Sequence, residues 1–115
     1  MSKLGCICGH VIRDQTDYIP YKASFIPDKL DYQLLDEIQK RIENYKEKLN
    51  LGEKVYDDYL FDLISTVDLK FRKDMYECVN CGRLWLQTAS GDFISYLSET
   101  GKYEAILDMD NRPLA

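Results

Sequence analysis

Two close pairs of cysteines constrain this chain more than any other feature of its sequence. The first reads "CICGH", residues 6–10, and the second lies in "ECVNCGRLW", residues 77–85. In each, glycine follows the second cysteine, as Cys8-Gly9 and Cys81-Gly82. A metal-binding knuckle turns the backbone so that amide N–H groups point at thiolate sulfurs, and glycine takes the turn conformation that side chains resist. Two knuckles bring four thiolates, Cys6, Cys8, Cys78 and Cys81, to one tetrahedral site, for which Zn2+ in a structural role is the default ion. Iron held by the same ligands, a redox C-x-x-C, and unligated buried cysteines are the competing readings. A redox motif normally precedes a helix, whereas Cys81 runs into the strand-like "RLWLQ". His10, the one histidine, either replaces Cys6 as a ligand or stands beside the site as a polar neighbour.

A chain of 115 residues is the size of one domain with a modest core, so a cross-link between distant segments matters to it. Hydrophobic residues make up 45% and charged residues 30%, the balance of an ordered protein. The opening "MSKLGCICGH" lacks the apolar core of a secretory signal, and no apolar run approaches the roughly 18 residues that span a bilayer. The expectation is a cytoplasmic protein with no membrane role, the setting in which paired cysteines bind metal more often than they form disulfides.

The segment "YIPYKASFI", residues 18–26, mixes aromatic and β-branched residues with a proline, as an edge strand does. After Pro27, Asp28 is placed to cap a helix in which Leu30, Leu34, Ile38, Ile42, Tyr45 and Leu49 recur at steps of three and four, with Gly52 as its stop. A second helical pattern starts near Lys54 and carries Val55, Tyr59, Leu60, Leu63, Ile64, Val67 and Phe71. The short connection between them predicts an antiparallel helical hairpin. From Met75 the texture is strand, turn, strand, with "KYEAIL" after Gly101 as a further strand. Residues 1–26 and 75–107 are expected to share one zinc-binding sheet, with residues 28–73 as a helical insertion, in a single α+β domain spanning 1–115.

With its two Cys-Gly knuckles, the chain resembles the zinc ribbon family, in which knuckles at the tips of β-hairpins clamp one structural zinc. "CVNCG" matches the family's pattern; "CICG" is one residue shorter. The resemblance implies a zinc ribbon-like antiparallel sheet formed by both chain ends. It covers the knuckles and their strands and says little of activity.

The motifs of common enzymes are missing: there is no G-x-x-x-x-G-K-[ST], no G-x-S-x-G and no H-E-x-x-H, and the zinc deaminase signature is not met. Four thiolates also leave a zinc no open position for water. The expectation is therefore a protein without catalytic residues. Its formal net charge is −5, and the stretch holding Glu53, Asp57, Asp58, Asp62 and Asp68 is answered by Lys54 alone. An acidic surface repels nucleic acid and attracts basic partners. Candidate contacts with a partner are Asp57, Asp58, Tyr59 and Asp62, together with Arg83 and Trp85 if the leucines of "RLWLQ" face inward; in the opposite case Trp85 is core. These features suggest a zinc-stabilised protein-binding module. By type it is similar to the small bacterial immunity proteins that neutralise a cognate, often basic, toxin domain. The alternative is a nucleic-acid-binding or transcription-associated zinc ribbon using Lys70, Arg72, Lys73, Arg83 and Trp85.

Overall fold

A computed structural model describes residues 3–109. Its elements run β1 (Lys3–Gly5), β2 (Val11–Arg13), β3 (Lys22–Phe25), α1 (Asp28–Asn50), α2 (Tyr59–Phe71), β4 (Lys73–Glu77), β5 (Leu84–Gln87) and β6 (Phe93–Tyr96). Two helices and two antiparallel sheets make the class α+β. The chain divides into two compact units, one built from its ends, Met1–Phe25 and Lys73–Ala115, and one from Ile26–Arg72.

In the first unit β1 and β2 form a hairpin of their own, while β3, β4, β5 and β6 make a four-stranded sheet in that order. The expected single sheet is thus two. The "KYEAIL" strand does not form either: residues 102–107 are irregular. β3 is an edge strand, with Pro20 outside it, as its composition predicts. Direct cross-strand partners share a face, so Lys22, Tyr76, Trp85 and Ser95 lie on one side of the sheet. Tyr76 and Trp85 join Cys6, Ile12 and Cys78 in the buried core, with Leu4, Tyr21, Cys81 and Phe93 packed around it. The small hairpin supplies Leu4, Cys6 and Ile12 to this core, which is why strands of three residues persist at all.

Polar contacts fasten the hairpin further. Tyr21 Oη donates to the Arg13 carbonyl at 2.5 Å, Lys22 Nζ stands 2.6 Å from the Asp14 carboxylate, and Tyr76 Oη donates to that same carboxylate. Burial favours protonated Asp14, but the hydrogen bonds from Lys22 and Tyr76 outweigh it and hold the carboxyl below its ordinary range. On the opposite face of β4, Glu77 is 1% exposed, and its carboxyl accepts the amide of Glu104 at 3.2 Å and that of Ile106 at 3.0 Å. Between those two residues Ala105 has φ +54°, the left-handed turn that aims both amides at one side chain.

The second unit is a pair of helices packed along their apolar stripes, with Leu34 and Val67 buried. α1 begins with Pro27 at its N-cap and no side-chain cap hydrogen bond, so Asp28 is its first helical residue and not its cap, its acid still favoured in the first turn; the helix ends before Gly52, whose φ is +75°. α2 starts at Tyr59, later than the pattern near Lys54 suggests. The residues before it turn back instead: Tyr56 Oη donates to Asp62 at 2.9 Å, and Tyr56 meets Tyr59 edge to face at 5.3 Å.

Candidate metal centre

The two knuckles are built alike, one residue apart in length. In the first, the Cys6 amide donates to the His10 carbonyl at 2.8 Å and the Gly9 amide to the Cys6 carbonyl at 3.0 Å. In the second, the Cys78 amide donates to the Arg83 carbonyl and the Gly82 amide to the Cys78 carbonyl, both at 2.8 Å. Each bond spans one residue more in the second loop, the span that C-x-x-C adds over C-x-C. Gly9 and Gly82 have φ of +97° and +81°, conformations that favour glycine. At Gly82 a second demand is added: a Cβ there would lie 2.1 Å from the Lys102 carbonyl oxygen, so residue 82 is where the C-terminal segment crosses the knuckle.

These loops bring Cys6, Cys8, Cys78 and Cys81 together, with all four sulfurs within 4.8 Å of one another. Cys6 Sγ is 3.6 Å from Cys81 Sγ, and Cys8 Sγ is 3.6 Å from Cys78 Sγ. The close pairs therefore join one knuckle to the other, and all four thiols are free. The predicted ligand set is the one the fold assembles, and it can hold a metal ion. His10 contributes its backbone to the first loop. Its imidazole is not among the ligand atoms that cluster, whereas the Cys6 sulfur is.

The sulfurs are surrounded by donors, as thiolates require. Asn80 Nδ2 lies 3.3 Å from Cys8 Sγ, and Arg83 Nη1 lies 3.5 Å from Cys81 Sγ. Backbone amides add to this, His10 toward Cys8, Asn80 and Cys81 toward Cys78, and Arg83 toward Cys81. The Asn80 amide, then the His10 backbone, bring the exposed Cys8 thiol down to about 6. Burial pushes the Cys78 thiol up to about 12, and on Cys81 the Arg83 hydrogen bonds overcome burial and lower it. Cys78 is the most buried of the four, at 0% exposure.

The other candidate residues are dispersed. Trp85 is 9% exposed and belongs to the core, which corrects its proposed display on the surface; it stands opposite Tyr76 on the face covered by the β1–β2 hairpin. Its Nε1 is buried with no hydrogen-bond partner among the described residues. Arg83 is engaged with Cys81, and Arg72 with Asp68 at 2.5 Å. Lys70 lines a cleft of about 300 Å³ between the helices beside Asp36, Glu37, Lys40 and Arg41. Lys73 falls in β4. Of the residues proposed for nucleic acid, the aromatic member, Trp85, is buried. Asp57 and Asp58 are exposed just ahead of α2, Asp62 in its first turn holds Tyr56, and Tyr59 is half-buried under Lys48. Asn80 escaped the sequence reading, although its place inside C-x-N-C is the signal that would have found it.

Residues 2–104 match a family model described as a domain of unknown function (DUF8617), so the chain belongs to that family. No curated protein and no solved structure matches it. Among the described residues no helix is long and apolar enough to cross a membrane.

Proposed function

We propose that this DUF8617 member is a non-enzymatic protein-binding module whose sheet unit is held by one structural zinc ion. The observation that carries the reading is the sulfur geometry. Tetrahedral zinc with Zn–S bonds of about 2.3 Å separates its sulfurs by about 3.8 Å, and the two cross-knuckle pairs stand at 3.6 Å. Cys6, Cys8, Cys78 and Cys81 would hold the ion, and the backbone amides of His10, Asn80 and Arg83, with the Asn80 and Arg83 side chains, would share the thiolate charge. A bound zinc supplies cross-linking here and no reactive water, since four thiolates complete its shell.

The binding surface in this reading is the acidic turn at the start of α2, where Asp57 and Asp58 are exposed, and the partner is a basic protein. An immunity protein against a basic toxin domain is the specific form that this charge and the small size support. Two measurements test the proposal. Native mass spectrometry of protein purified without added metal should find one zinc per chain, lost on Cys78→Ser; a metal-free chain with intact structure overturns the zinc reading. Capture from native lysate should yield a basic partner that Asp57→Lys/Asp58→Lys no longer retains. A partner retained equally by both proteins overturns the acidic surface.

A further inference from the structure

The four-stranded sheet has two edges, and they differ in kind. β3 carries Lys22 and is flanked by Pro20 and Pro27, the charge and prolines with which proteins block strand addition. β6, at the other edge, pairs with β5 alone, and among the described residues no further backbone hydrogen bond leaves it. The run "FISYLS", residues 93–98, has no charge and no proline. Ile94 is 51% exposed, Tyr96 58% and Leu97 59%. An open, uncharged edge with large apolar side chains is a template for another strand.

We propose that β6 pairs antiparallel with β6 of a second copy of this chain, about a two-fold axis at Ser95, joining two four-stranded sheets into one. The sequence around that axis is complementary to itself. Centred on Ser95, Ile94 stands opposite Tyr96 of the second copy and Phe93 opposite Leu97, so every large apolar residue of the edge meets another. The acids fall against neutral positions, Asp92 opposite Ser98 and Glu99 opposite Gly91. A slip of two residues sets Asp92 against Tyr96 or Glu99 against Phe93, so one register is favoured. Because the axis is two-fold, the same patch serves both copies and the assembly closes at two chains. The pairing uses no residue of the metal centre and stands apart from the zinc reading.

Sedimentation of the protein as purified, over a concentration series, tests the pairing. The mass should rise toward twice that of one chain as concentration increases. Ile94→Lys/Tyr96→Lys places lysine against lysine at both cross-strand pairs and should remain at one chain throughout. Ile94→Lys/Tyr96→Glu differs only at position 96, places lysine against glutamate in the proposed register and should restore the doubled mass. Its recovery also shows that Ile94→Lys is compatible with folding. A single-chain mass for the unmodified protein up to about 1 mM, the weak end of measurable association, overturns the proposal. So does a doubled mass in the lysine–lysine variant, or growth beyond two chains. Failure of the lysine–glutamate variant to associate overturns the register centred on Ser95.

Discussion

The sheet unit and the helical unit reach order by opposite routes. In the sheet unit, contacts at the cysteine cluster and the core join the two ends of the chain: Cys8 and Cys78 are 70 positions apart, and Asp14 and Tyr76 are 62 apart. In the helical unit the polar partners are neighbours in sequence, Glu37 with Lys40, Tyr56 with Asp62, Asp68 with Arg72. Closing a long loop costs chain entropy before any contact repays it, whereas a helix pays residue by residue. The sheet strands are three to five residues long, too short to repay that closure by pairing alone. A cross-link belongs where contacts are distant, and four cysteines stand at that place.

The largest effect that could break this contrast is removal of the proposed zinc. Zinc binding in small modules is worth on the order of 10 kcal/mol, so chelation should unfold the sheet unit and spare much of the helical one. The single tryptophan, Trp85, lies in the sheet core and reports on it alone. Its emission should shift to the red while much of the far-ultraviolet helical signal persists. Simultaneous loss of both signals would show that the units do not differ in this way.

A smaller effect separates the two knuckles. Gly9→Ala meets open space and bears only the strain of a positive φ, about 1 kcal/mol. Gly82→Ala must in addition displace the Lys102 backbone, so it should lower the melting temperature of the protein several times as much. Equal melting temperatures would remove the crossing at Lys102 from the account.

The smallest effect concerns the polar fastening of the hairpin. Tyr76→Phe removes the hydrogen bond to Asp14 and should cost about 1–2 kcal/mol. Because the folded carboxyl of Asp14 is held low, its contribution is present above the unfolded value, about pH 4, and is lost as the pH falls through the folded one. Denaturant midpoints measured down through that window should decline more steeply for the unmodified protein than for Tyr76→Phe.

The helices were legible because apolar steps of three and four, a leading Asp28 and a trailing Gly52 all agree on α1. The metal ligands were legible because spacing and glycine position report on a local loop, and the matched hydrogen bonds of the two knuckles show that loop directly. Face assignment in β5 was not. In "RLWLQ" apolar residues occupy both alternating sets, so alternation could not decide between Trp85 and the leucines; the β1–β2 hairpin decides it by covering the Trp85 face. The separate hairpin sheet was hidden for a related reason. Strands of three residues beside a knuckle carry too short a pattern to show which neighbour they pair with. The absent strand at residues 102–107 has its cause in tertiary contacts, since the Glu77 carboxyl and the Gly82 backbone bend that segment into a turn.

That turn fixes where the chain can be shortened. Similarity to the family extends to residue 104, yet one of the two amides that satisfy Glu77 belongs to Ile106. A protein cut at the limit of similarity would keep a buried side-chain oxygen with nothing to bond, a defect worth about 1–3 kcal/mol one residue away from Cys78. The reach of this unit is set by a hydrogen-bond acceptor in its interior, and it extends past residue 104, where the match to the family model stops.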